Sequence, residues 1–310
     1  MTAKQNRSGS IKVFLTEKGT TMKRKNLIRL LLALAALFTF LGSVHAQNAT
    51  TLETKYRQLQ NKLANNQFGQ PVYMDSSLQS NTISGDVYSV VNYPYSTVRT
   101  ALDTPTEWCE VLMLHLNIKY CRALGKNKVE VYAGTKKPQP LKNAYKMTYN
   151  FKPVINDDRY MQIIMDAKSG PVGTSDYYMM MEAIPLKDNR TFIHIRYSYH
   201  FGTMAKIATN LYLDTAGSGK EGFTIVGKKT NGTPEYITGL RGAIERNTMR
   251  YYLAVEAYLG SLSAPPAQQR EKRLKAWFKG TERYPQLYEI TEKQYLSMKR
   301  EEFNQEISNN

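Results

Sequence analysis

Apolar positions divide the chain into a leader, a long series of alternating segments and one unusually long helical pattern. Residues 238–262, TGLRGAIERNTMRYYLAVEAYLGSL, carry that pattern, with Pro234 ahead of it and Pro265–Pro266 closing it. On a helical wheel Leu240, Ala243, Ile244, Asn247, Tyr251, Ala254, Val255, Tyr258 and Leu262 share one broad face. At 1.5 Å per residue this stripe runs roughly 37 Å and needs an apolar partner of the same length. Met249, Tyr252 and Leu253 form a second ridge on the opposite side, where a C-terminal segment could cover them.

The partner is predicted by what precedes it. DVYSVVNY (86–93) alternates loosely, as a strand does. PYSTVRTALDT (94–104) and PTEWCEVLMLHL (105–116) each place proline near a helix start, where its missing N–H costs least. Six strand patterns follow in series: IKYCRA (118–123), KVEVYAG (128–134), NAYKMTYNF (143–151), RYMQIIMDA (159–167), SDYYMMMEAI (175–184) and RTFIHIRYSY (190–199). In the last, Ile193, Ile195, Tyr197 and Tyr199 share one face, and His194, Arg196, Ser198 and His200 the other. That predicts an antiparallel sheet with one buried and one wet face. HFGTMAKIATNLYLDT (200–215) reads as a helical excursion and GFTIVGKK (222–229) as a final strand.

Both ends are helical. Leu52, Tyr56, Leu59 and Leu63 mark an amphipathic helix over Thr51–Asn65. The polar stretch Asp75–Gly85 reads as a separator and SAPPAQQ (263–269) as a linker. Arg270–Lys279 and Thr291–Ile307 are two further helices, the second opening on a Thr291–Gln294 capping box. The fold class expected is α+β: a curved antiparallel β-sheet gripping a long C-terminal α-helix, with extra helices at both termini.

The leader changes the charge picture. From Met22 the chain reads MKRKNLIRLLLALAALFTFLGSVHAQ, a basic start, an apolar run over Leu30–Leu41, then Val44-His45-Ala46. That is the pattern of a secretory signal peptide cleaved after Ala46, with Met22 as the start. The apolar run is shorter than the ~20 residues of a bilayer span. The expected product is a soluble periplasmic protein beginning at Gln47. Residues 1–46 hold eight of the 42 Lys/Arg and one of the 26 Asp/Glu, so the remainder carries +9 rather than +16. This moderate excess suits an anionic ligand or membrane surface, and export makes nucleic acid an improbable partner. Cys109 and Cys121, an even count in an oxidising compartment, predict a disulfide. Two buried free thiols are the alternative.

The order strand, two short helices, run of strands, long helix resembles the START-like (SRPBCC, helix-grip) superfamily. DVYSVVNYPYSTVRTALDTPTEWCEVL at the front and YITGLRGAIERNTMRYYLAVEAYLGSL at the end carry the resemblance, which covers about residues 84–263 and is topological. Around it lie the leader (1–46), an N-terminal helical arm (47–83) and a linker with helical tail (264–310). What the resemblance implies is a cavity between helix and sheet that binds or carries a lipid or other apolar small molecule. Its walls would be Ile193, Ile195, Tyr197 and Tyr199 facing Ile244, Asn247, Tyr251, Val255 and Tyr258. The alternative within the fold is an enzyme resembling polyketide cyclases, with Tyr and His as acid–base groups. It would place Glu182 or His115 inside the cavity.

Other candidate chemistry is sparse. No catalytic motif, cofactor motif or metal-ligand spacing is recognised. AGSGKEG (216–222) has Glu221 where a phosphate loop needs Ser or Thr. His194 and His200 would stand ~20 Å apart on the wet face, too far for one metal ion. Arg246 and Arg250, four residues apart on one helix edge, could hold an anionic headgroup at a cavity mouth, or be solvated or paired arginines. Arg241 and Glu245 have ion-pair spacing. Leu274, Trp277 and Phe278 form an apolar patch among basic residues. The patch suits either docking on the domain, the preferred reading, or a peripheral membrane contact. A tail that binds a partner is a third functional reading.

Overall fold

The computed structural model describes residues 49–203 and 219–309. The expected leader and most of the expected excursion at 200–215 lie outside them. Residues 49–64 are helical (α1). The strands are β1 (Val72–Gln79), β2 (Thr82–Val91), β3 (Ile118–Ala123), β4 (Lys128–Ala133), β5 (Tyr145–Asn156), β6 (Met161–Ser169), β7 (Thr174–Pro185) and β8 (Thr191–Phe201). They form one curved antiparallel sheet in the order β1-β2-β8-β7-β6-β5-β4-β3. Between β2 and β3 the chain crosses to the far edge through α2 (Tyr95–Ala101) and α3 (Pro105–Leu112). From there it returns strand by strand until β8 pairs with β2. β9 (Ile225–Lys228) pairs with β10 (Pro234–Tyr236) in a separate two-stranded ribbon rather than joining the sheet.

The long helix α4 (Gly239–Ser261) lies on the inner face over β1, β2 and β8, with α3 beside it. Ile244, Val255, Ile193 and Ile195 are at most 1% exposed in this core; each such side chain contributes roughly 1.5–3 kcal/mol.

The stretch Asp75–Gly85 is a correction: it is the β1–β2 hairpin, turning at Ser80-Asn81. Of its inward positions Ile83 joins the core, whereas Ser76 and Gly85 are polar or small because the side of α4 they face is polar. Ser76 donates to Glu245 at 2.5 Å, Arg241 donates to the Ser76 carbonyl at 2.7 Å, and Ser89 bonds the Tyr252 hydroxyl at 3.0 Å. Arg241 and Glu245 thus meet through Ser76, and the Tyr252 hydroxyl reaches β2. Glu245 is fully buried and also accepts from Phe223 N–H, Thr224 N–H and the Thr224 hydroxyl. It pins the segment leading into the helix. Gly222 and Gly242 permit that approach, since a Cβ on Gly222 would lie 2.9 Å from Gly242 Cα.

The outer face also departs from expectation. It is covered around Phe192 by α1, whose Leu52, Leu59 and Leu63 join Val90, Ile155, Tyr160, Ile184 and Phe192 in a second apolar cluster. His194, expected on a wet face, is only 5% exposed. Its Nδ1 bonds Glu182 at 2.7 Å, its Nε2 bonds Asp86 at 2.8 Å, and its ring stacks on Tyr88 at 4.1 Å. Tyr160 donates to the other Glu182 oxygen. Burial opposes the charged imidazole, but the two carboxylates outweigh it and raise the His194 pKa above its usual value.

The tail forms α5 (Pro266–Glu282) and α6 (Glu292–Asn309). Leu274, Trp277 and Phe278 are buried in the main core, so the patch docks and offers no apolar face to a bilayer. Trp277 donates to the Arg250 carbonyl at 3.0 Å and stacks on Tyr295 at 4.8 Å. The Cys109–Cys121 disulfide ties α3 to β3. No helix among the described residues is long and apolar enough to cross a membrane.

Candidate functional site

α4 crowds one side of the inner face, and a cavity of about 590 Å³ remains on the other. Its wall comes from the loop after α3 (His115, Asn117), from β4 and β5 (Val131, Met147, Tyr149), from Tyr177 of β7 and Tyr197 of β8, and from Asn247 and Tyr251 of α4. Pro171, Val172, Asn143 and Tyr145 stand at the more exposed end. Val172, 66% exposed, sits at φ 56°, a left-handed conformation that a β-branched residue rarely adopts.

Of the nine expected wall residues, Tyr197, Asn247 and Tyr251 line this space. Ile193, Ile195, Ile244 and Val255 are solid core instead. Tyr199 stacks on Tyr177 at 5.2 Å, and Tyr258 lies under the Arg273 guanidinium at 4.6 Å, both outside the cavity wall. The reason is the helix's position: it fills the space over β1, β2 and β8, and leaves free the space over β4, β5 and β7.

The wall is aromatic and uncharged. Tyr149, Tyr177, Tyr197 and Tyr251 cluster there, with Tyr197 and Tyr251 ring centroids 5.1 Å apart. Burial raises the pKa of all four, and neighbouring phenols add to the effect, so they stay protonated hydrogen-bond donors. Among the described residues no carboxylate, lysine or arginine lines the cavity. His115 does, stacked on Tyr251 at 4.6 Å. Burial first, then the positive charges of Arg250, Lys299, Lys136 and Lys119, hold its pKa well below 6.5. Glu182, the other titratable group considered for the cavity, lies on the outer face with His194.

Arg246 and Arg250 are not at the mouth. Both are buried, at 3% and 1%. Arg246 donates to the Lys220 and Glu221 carbonyls at 3.0 Å each. Arg250 reaches the Leu287 carbonyl at 3.2 Å and Glu289 at 2.9 Å. They are structural ties to neighbouring segments, so the headgroup assignment is corrected. Glu289 also binds Lys136 and Lys220, each at 2.5 Å. Lys220 of the glycine-rich segment is therefore an ion-pair member. Among the described residues no group of His, Cys, Asp and Glu is placed to hold a metal ion.

The sheet order and the gripped helix define a helix-grip fold. Similar solved structures include a START superfamily protein from Mycobacterium smegmatis, at 12% identity over 44% of this chain and 90% of that one, TM-score 0.30. Norcoclaurine synthase from Thalictrum flavum matches at 17% identity over 44% and 87%, TM-score 0.31. A conserved protein of unknown function from Enterococcus faecalis matches at 10% identity over 66% and 91%, TM-score 0.32. No family model matches the chain, and no curated protein matches it significantly.

Proposed function

We propose that this is an exported protein that binds or carries an apolar small molecule in the cavity between α4 and the sheet. The observation that carries the reading is the cavity itself: about 590 Å³, aromatic and uncharged, with a few convergent polar groups. Those are the attributes of small-molecule sites, which run ~300–1,000 Å³. The Cys109–Cys121 bridge supports export, because disulfides persist in oxidising compartments.

The test is substitution of Tyr251 by Trp, which adds bulk to the wall. Binding of a panel of apolar ligands, followed by calorimetry, should weaken at least tenfold while thermal unfolding shifts little. A wild-type protein that binds nothing in the panel, with a Tyr251→Trp variant that is merely destabilised by ~1–3 kcal/mol as overpacked cores are, would sink the reading.

A second reading, catalysis within the same cavity, is favoured by one observation: a buried neutral histidine, His115, stands against the phenol of Tyr251. It predicts chemical change in a bound ligand that His115→Asn abolishes.

A further inference from the structure

Two side chains in the cavity wall hold a hydrogen-bond donor that no described residue uses. His115 is 2% exposed and its Nδ1 accepts the Asn117 N–H at 3.2 Å. In a neutral imidazole one nitrogen accepts and the other donates. That bond assigns the proton to Nε2, which is buried without a partner among the described residues. A buried donor left unmade costs free energy until an acceptor arrives. Tyr149, 8% exposed, makes no hydrogen bond to the described residues, and its hydroxyl stays protonated. Tyr251, which lines the same cavity, is stacked on His115.

The layer behind this wall is cationic. Lys136, Lys220 and Arg250 converge on the single carboxylate of Glu289, and Lys119 and Lys299 on that of Glu302. Of these cations, Arg250, Lys299, Lys136 and Lys119 act electrostatically on His115 in the wall. A ligand entering the cavity meets neutral donors under a positive potential, which favours an anionic acceptor and disfavours an ammonium group. Two donors match the two oxygens of a carboxylate.

Building on the binding reading above, we infer that the ligand is an apolar monocarboxylate. Its carboxylate accepts from His115 Nε2–H and Tyr149 O–H, and its body lies along Val131, Met147 and Tyr177.

Calorimetric titration of the full-length protein with dodecanoate, methyl dodecanoate and dodecylammonium tests this. The acid should bind about tenfold more tightly than the ester, the margin of one charge-assisted bond, and the ammonium most weakly. His115→Asn retains an acceptor for Asn117 N–H and removes the Nε2 donor. In it, and in Tyr149→Phe, the acid–ester ratio should collapse toward one, and His115→Gln should restore part of it. Should either variant fail to fold, the wild-type ratio still decides. Equal binding of acid and ester overturns the carboxylate while leaving the cavity reading intact; so does a ratio unchanged in both variants. Absence of binding by all three overturns both.

Discussion

Gly85 of β2 and Thr248 of α4 meet so closely that a Cβ on Gly85 would collide with the Thr248 hydroxyl and stand 3.2 Å from its Cβ. This contact sets how deeply the helix sinks onto the hairpin, and hence how much space remains over β4, β5 and β7. Gly85→Ala should destabilise by ~1–3 kcal/mol, because the helix must shift. Adding Thr248→Ala removes the obstructing hydroxyl and should recover a good part of that loss. Denaturant unfolding of the two single variants and the double measures the coupling. Additive losses would mean that the contact does not seat the helix.

The disulfide predicts a second stability effect. Cys109 and Cys121 are 12 residues apart and join α3 to β3 next to the loop that carries His115. Closing a loop of this size stabilises by about 3 kcal/mol on the chain-entropy model. Replacing both cysteines with serine should cost about that much and lower ligand affinity as the His115 loop loosens. A variant with unchanged unfolding temperature would remove the bridge from any role in stability.

The buried His194 predicts pH dependence on the other face of the sheet. Both ring nitrogens bond carboxylates, Glu182 and Asp86, so the imidazolium is the form that the site holds. Tyr88, Tyr160 and Arg196 complete its surroundings. Its pKa is raised in the folded state, so its contribution is fully present below the unfolded value of 6.5 and is lost as pH rises through the folded value. Thermal stability should fall over that range in the wild type. In His194→Gln it should be lower by roughly 3 kcal/mol at pH 6, since two carboxylates lose their shared partner, and flat across the same pH range. An equal slope in both proteins would assign the dependence to another group.

How far the sequence spoke depended on the kind of contact each residue makes. The alternation of Ile193, Ile195 and Tyr197 and the stripe of Ile244, Tyr251 and Val255 are apolar against apolar, and they marked sheet and helix correctly. β1 and the first residues of β2 were missed because Ser76 and Gly85 bury themselves against Glu245 and Thr248. Buried polar pairs of that kind look like a solvated linker. Likewise His194 looked wet because the groups that enclose it, Asp86 and Tyr88 of β2 and Glu182 of β7, come from other strands. The cavity was mislocated for a related reason. Matching two apolar faces says that they touch, and the residues that match best, such as Ile195 and Ile244, leave no space. His115 was visible only as a lone histidine at the end of the apolar run WCEVLMLHL, a weak signal that acquires meaning once Asn117 and Tyr251 are placed around it.

Glu289 predicts the last pH effect, at the opposite end of the scale. Its side chain is 8% exposed, between Lys136, Lys220 and Arg250. Burial works against the carboxylate, yet Arg250 and Lys136 outweigh it and hold the pKa down at about 2 against an ordinary 4.5. A carboxyl depressed in this way contributes stability above its unfolded value and loses it as pH falls from 4.5 towards 2. Arg250 also donates to the Leu287 carbonyl, so protonating Glu289 loosens the segment between α5 and α6 first. Limited proteolysis should find cleavage near residues 284–291 appearing within that window, before global unfolding. Glu289→Gln should show the same cleavage at neutral pH and lose ~3 kcal/mol, as expected when buried cations lose their counter-charge. Other carboxylates titrate in the same range, so the difference between wild type and variant isolates this one. If the variant resists cleavage at neutral pH as well as the wild type does, Glu289 does not anchor the tail.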